Sequence, residues 1–85
     1  MMNIKLITFE LLKPSDLPTM DLLKMLEQEQ GVSRIDIGLM EFERNTETLK
    51  VEIQGKNLNV DALLKIISDF GGVVQNVEHI VAEKA

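Results

Sequence analysis

From Ile4 to Leu12 the chain alternates: Ile7, Phe9 and Leu11 share one parity, and Leu6, Thr8 and Glu10 the other. That two-residue period predicts a strand with one buried face. "KPSDLPT" breaks the pattern, with Pro14 and Pro18 bracketing the turn formers Ser15 and Asp16. A stripe of Leu22, Leu23 and Leu26 then predicts a helix from Pro18 or Thr19 to Gln30, with Gly31 as its terminator. Alternation returns over Val32–Glu43 and again from about Thr48 to Gly55, the two runs being joined by "RNTE". Asn59 is placed to cap a second helix, with Asp61 in its favourable first turn. Val60, Leu63, Leu64, Ile67 and Phe70 form its inward stripe, and Gly71 and Gly72 end it. Val73 to about Ala82 reads as the last strand.

The order is βαββαβ, in a single domain over residues 1–85. Each helix joins two strands that can lie parallel in one sheet through a right-handed crossover. Two interlocked crossovers give an α+β ferredoxin-like sandwich, an antiparallel sheet in order 4-1-3-2 with both helices on one face.

Parity then sorts the side chains. Ile35, Ile37 and Leu39 must face the helices, which sends Asp36, Gly38, Met40 and Phe42 to the helix-free face. Glu41 and Glu43 share the core parity, so that end of the strand is expected to run past the helical cover. In the third strand Leu49, Val51 and Ile53 face inward, and Lys50, Glu52 and Gln54 outward. A clean four-residue "RNTE" loop would pair Leu39 with Glu52, which this pattern forbids; the hairpin needs an odd loop or a bulge. Asp36 and Glu52 share the open face, and Glu10 of the first strand approaches them. Glu10, Asp36 and Glu52 are therefore the candidate ligands for a divalent cation such as calcium or magnesium, with Lys50 as a nearby counter-charge. The competing reading is a solvated sheet face charged for solubility, and no DxDxDG loop supports the metal.

Large apolar residues, Leu6, Met40 and Phe42, interrupt that polar face. The second and fourth strands are also open edges, which proteins rarely leave long and undefended. The last strand doubles its apolar residues at Val73–Val74 and Ile80–Val81. Doubling implies a bulge, or burial on both faces against a partner chain. A homo-oligomer is the expectation, with Met40, Phe42, Val73, Ile80 and Val81 at the contact.

Composition narrows the chemistry. A chain of 85 residues has a thin stability margin and gains from burying intersubunit area. Net charge is −5, from fourteen acidic and nine basic residues, the wrong sign for phosphate neutralisation. Tyr and Trp are absent and only three Phe occur, so no platform for stacking bases exists. Nucleic acid is not an expected partner. Apolar runs are too short to span a membrane, and "MMNIKLITF" lacks the cleavage site of a signal peptide, so a cytoplasmic location is expected. No cysteine is present for thiolate chemistry, and His79 has no serine or cysteine nucleophile motif around it. "FGGVV" follows a helix, whereas a phosphate loop precedes one. The loop "LKPSDLPT" carries neither the arginine and glycines of acylphosphatases nor the Cys-x-x-Cys of metallochaperones. Catalysis is not expected.

"LLKP" closing the first strand, the run from Gly31 to Glu41, "TETLKVEIQG" and above all "FGGVVQNVEHIVA" resemble a small archaeal family, domain of unknown function 211. The likeness covers nearly the whole chain and departs most at "SDLPTMD". The resemblance implies a ferredoxin-like fold and homo-oligomeric assembly, and brings no catalytic residues. The expected function is a non-catalytic, self-associating module binding a divalent cation or small ligand at its open face or subunit interface. Two alternatives stand beside it: an ACT-like small-molecule-sensing regulatory module, and an enzyme completed by a partner.

Overall fold

The alternation of the first and third strands produces one continuous ladder. In the computed structural model, which describes residues 1–85, β1 (Met2–Pro14) pairs antiparallel with β3 (Thr46–Gly55) from Leu6↔Gln54 to Pro14↔Thr46 without a shift. The remaining elements are α1 (Thr19–Leu26), β2 (Val32–Glu43), α2 (Val60–Phe70) and β4 (Val73–Lys84). The sheet order is β2-β3-β1-β4, the expected arrangement, with all neighbours antiparallel. Ile7, Phe9, Leu11, Leu49, Val51 and Ile53 form one buried cluster with Leu22 and Leu26 of α1 and Leu63 and Ile67 of α2. Both helices thus lie on the same side of the sheet. No helix is long and apolar enough to cross a membrane.

The second helix is built as its sequence predicts. The Asn59 side chain accepts from the Ala62 N–H at 3.1 Å, and Gly71 takes the left-handed conformation (φ 104°) at the C-terminus. Leu64 is the exception in the stripe: it is exposed, and Ile66 packs against the core in its place. The first helix is shorter than predicted, ending at Leu26 instead of Gln30. Beyond it the Glu29 N–H bonds to the Leu26 carbonyl and the Val32 N–H to that of Glu29, so the chain continues in tight turns. Gly31, with φ 88°, closes that run of turns and not the helix.

Helix length decides what the sheet leaves bare. Eight helical residues span roughly 12 Å and eleven roughly 16 Å, whereas a twelve-residue strand spans roughly 40 Å. The far ends of the strands therefore lie beyond the helices. Leu39 has core parity, as expected, yet is 61% exposed for this reason.

The hairpin resolves its parity conflict with a bulge. Arg44 and Asn45 form a two-residue turn, Arg44 at φ 41°, and the register shifts between Leu39↔Leu49 and Glu41↔Thr48, leaving Met40 as the extra residue. Everything beyond Met40 changes sides. Glu41 and Glu43 pair with Thr48 and Thr46 on the open face, and Phe42 pairs with Glu47 on the helix-bearing side. The faces expected for Phe42, Glu41 and Glu43 are thus reversed, because alternation cannot be counted through a bulge.

Three register shifts between β1 and β4 make Lys5, Gln75 and Glu78 the unpaired extra residues. They explain the doubled apolar pairs. Val74, Val77 and Ile80 lie opposite the core residues Leu11, Phe9 and Ile7, while Val73 and Val81 lie opposite Leu12 and Leu6 on the open face. Each doublet places one residue on each side, and neither needs burial on both.

Candidate functional site

The open face is tiled in rows that cross β2, β3, β1 and β4 in turn. One row reads Arg34, Gln54, Leu6, Val81, and the next Asp36, Glu52, Thr8, His79. A third reads Gly38, Lys50, Glu10, Asn76, and past the bulge comes Glu41, Thr48, Leu12, Val73. Carboxylates dominate the middle, and apolar residues are confined to the β1–β4 side at the two ends.

Glu52 is the most engaged carboxylate. It accepts from the Thr8 hydroxyl at 3.3 Å, the Gln54 amide at 3.0 Å and Arg34 Nη1 at 3.4 Å. Arg34 Nη2 also reaches Asp36 Oδ2 at 3.5 Å, so one exposed guanidinium bridges the Asp36–Glu52 pair. Glu10 belongs to a separate group, directly across from Lys50, whose Nζ lies 3.3 Å from Glu78 Oε1. The Glu10 carboxyl is held above its ordinary value of 4.5. The main cause is a hydrogen bond shared with Glu78, followed by partial loss of hydration and by repulsion from the Glu78 charge; Lys50 opposes the shift and Glu41 adds to it.

Glu10, Asp36 and Glu52 therefore share a face, as expected, but fall into two groups. No three carboxylate or histidine side chains converge as metal ligands do. Asp36 and Glu52 are the pair able to hold a hard cation, in competition with Arg34. Beside them the surface dips into a cavity of about 160 Å³ lined by Thr8, Asp36, Gly38, Lys50 and Glu52.

The expected contact residues are scattered over both sheet faces. Phe42 (59% exposed) and Ile80 (53%) stand on the helix-bearing side of β2 and β4, where the helices do not reach. Met40 protrudes at the bulge, and Val73 and Val81 stand on the open face.

Lys13 was not among the sequence candidates, although its parity continues the series Ile7, Phe9, Leu11. It is 1% exposed and lies under the loop that follows β1. Its ammonium donates to the carbonyls of Leu17 at 2.6 Å and Pro14 at 2.9 Å, and meets Glu47 Oε1 at 2.6 Å. All three of its protons are used, so the buried charge is matched. Arg34 and Glu78 were missed as well. Arg34 has the parity of Asp36 and was legible, whereas the place of Glu78 depends on a register shift.

A family model described as uncharacterized ArCR, domain of unknown function 211, matches residues 5–85. The chain belongs to this family. The uncharacterized protein MJ0319 of Methanocaldococcus jannaschii is 31% identical over 84 residues, which cover 99% of this chain and 87% of that one. Membership of family 211 agrees with the resemblance read from "FGGVVQNVEHIVA" and the other matched stretches, and attaches no reaction to any side chain described above.

Proposed function

We propose that this member of family 211 is a non-catalytic, cytoplasmic module that assembles with copies of itself through its sheet edges, leaving the charged face free to bind a small ligand. The observation that carries the reading is the character of the two edges. β2 and β4 have no strand on their outer sides. They also expose Leu39, Met40, Phe42, Val77 and Ile80, all large and apolar, beside those open ladders. Unpaired backbone groups next to exposed apolar side chains favour strand addition from another chain. Charge favours the edges over the flat face. Glu10, Asp36, Glu41, Glu52 and Glu78 outnumber Arg34 and Lys50 around the middle of that face, so two such faces would repel. β2 and β4 run in opposite directions, so an edge of one copy can extend the antiparallel sheet of the next.

Light scattering or native mass spectrometry at micromolar concentration is expected to give a multiple of 9.6 kDa. Phe42→Lys and Ile80→Lys should lower that mass without unfolding the chain, since both side chains are exposed within one copy. A monomeric parent protein would overturn the assembly reading.

A further inference from the structure

Gly38 has no internal reason to be glycine. Gly31 and Gly71 have positive φ angles, and a Cβ on Gly55 or Gly72 would strike Gly31 O at 2.0 Å or Leu11 Cδ1 at 2.7 Å. Gly38 is extended, lies inside β2, and a Cβ built on it meets nothing within 4 Å. Glycine inside a strand weakens it and marks a bulge, a bend or a place where something external comes close. Gly38 is regularly paired with Lys50, and the extra residue of the nearby bulge is Met40.

The register shows what surrounds the gap. Gly38 pairs with Lys50 and Asp36 with Glu52, so two adjacent cross-strand pairs form a square on the open face, and Thr8 lies on the far side of Glu52. These five residues line the 160 Å³ dip, which is smaller than sites for drug-sized molecules. Its walls carry both signs: the Asp36 and Glu52 carboxylates, and the Lys50 ammonium. The bonds holding those charges are loose. Arg34 meets the carboxylates at 3.4 and 3.5 Å while 56% exposed, and Lys50 reaches Glu78 at 3.3 Å while 54% exposed. A guest can exchange for either partner without leaving a buried charge unmatched.

We infer that the dip at Gly38 is a binding site for a compact zwitterion, a small molecule carrying an ammonium and a carboxylate. The ammonium is placed against Asp36 and Glu52, and the carboxylate against Lys50. The open backbone at Gly38 lets the carbon skeleton lie flat on the strand. A simple cation would leave Lys50 facing it, and a simple anion would meet the two carboxylates; only a molecule with both charges satisfies the whole square.

The inference rests on the ligand-binding half of the proposed function and is independent of assembly. Its test is calorimetric titration of the full chain with glycine, β-alanine and 4-aminobutyrate, in which the two charges stand progressively further apart. Methylammonium, acetate and calcium chloride serve as single-charge probes, and assembly mass is read on the same samples. At least one zwitterion is expected to bind ten-fold or more tightly than methylammonium or acetate. Gly38→Val should abolish that binding while raising the melting temperature by about 2–8 °C, the gain of replacing an unneeded strand glycine. Zwitterion binding by a monomeric parent would still support the site while removing the assembly reading. No zwitterion binding by the parent, whatever its assembly mass, equal binding by Gly38→Val, or binding of calcium alone would overturn the inference. So would a destabilised Gly38→Val, because glycine would then have an internal role.

Discussion

The inner and outer strands of this sheet are built on different terms. β1 and β3 match through nine consecutive pairs, and their odd-numbered side chains Ile7, Phe9, Leu11, Leu49, Val51 and Ile53 are all buried. β4 needs three register shifts to follow β1, β2 needs two to follow β3, and neither edge contributes one fully buried residue. The edges are no less apolar; they hold Ile35, Ile37, Leu39 and Phe42, and Val74, Val77 and Ile80. What differs is the surface those residues serve. A straight ladder under the helices turns apolar residues into core, while the bulged strands at the margin bury Ile35, Ile37 and Val74 only in part and leave Leu39, Phe42, Val77 and Ile80 to an outside surface.

The sharpest test of that contrast uses one cross-strand pair, Ile37 and Val51. Val51→Asp should abolish cooperative folding, because an unpaired buried charge costs several kcal/mol or more against a stability of roughly 5–10. Ile37 is only half-buried, so Ile37→Asp should leave a folded protein weakened by about 1–3 kcal/mol in urea melts. Equal loss from both would show that the fold depends on the edge as heavily as on the centre.

Lys13 extends the inner pattern with a charge in place of a methyl group. Lys13→Ala strands the Glu47 carboxylate and two carbonyls, and is expected to cost about 3–5 kcal/mol. Replacing the pair together, as Lys13→Met with Glu47→Leu, should recover most of that stability. A Lys13→Ala variant with an unchanged denaturation midpoint would mean the loop does not depend on the clamp.

The smallest effect is expected at Glu10, on the open face. Its carboxyl titrates above 4.5 in the folded chain, so the native state holds more protons than the unfolded one. Stability therefore falls as pH rises from about 4.5 through the raised value, and the carboxylate repulsion persists at neutral pH. Glu10→Gln should flatten that slope and raise the melting temperature at neutral pH. A steeper slope in the variant would contradict the raised titration of Glu10.

The inner strands were legible in the sequence because nothing interrupts their period, and the six residues they give to the core follow from parity alone. Lys13 was lost because Pro14 drew the end of the strand back to Leu12, although the ladder runs through Pro14. Parity also showed that the hairpin required an odd loop or a bulge. It could not locate the extra residue, so Phe42, Glu41 and Glu43 were assigned to the wrong sides. The candidate site was half legible. A shared face for Glu10, Asp36 and Glu52 follows from alternation, but their division into two groups depends on Arg34 and Lys50 reaching sideways between rows. Gly38 lay in plain view, and only the three-dimensional arrangement shows that its missing side chain leaves a dip.

The bulge at Met40 has a consequence for how this tip can change over generations. Because Glu41, Phe42 and Glu43 take their sides from their partners Thr48, Glu47 and Thr46 across the turn, loss of the one surplus residue upstream of them would make the ladder regular and leave all three where they are. Phe42 would stay on the helix-bearing side and the glutamates on the charged one, while the extra twist that the bulge gives the tip would relax. A shift in length there re-aims the tip; only a change in the turn or in β3 would invert it. Gain or loss of that one residue is thus a way to turn the direction in which the tip reaches while its two surfaces keep their chemistry.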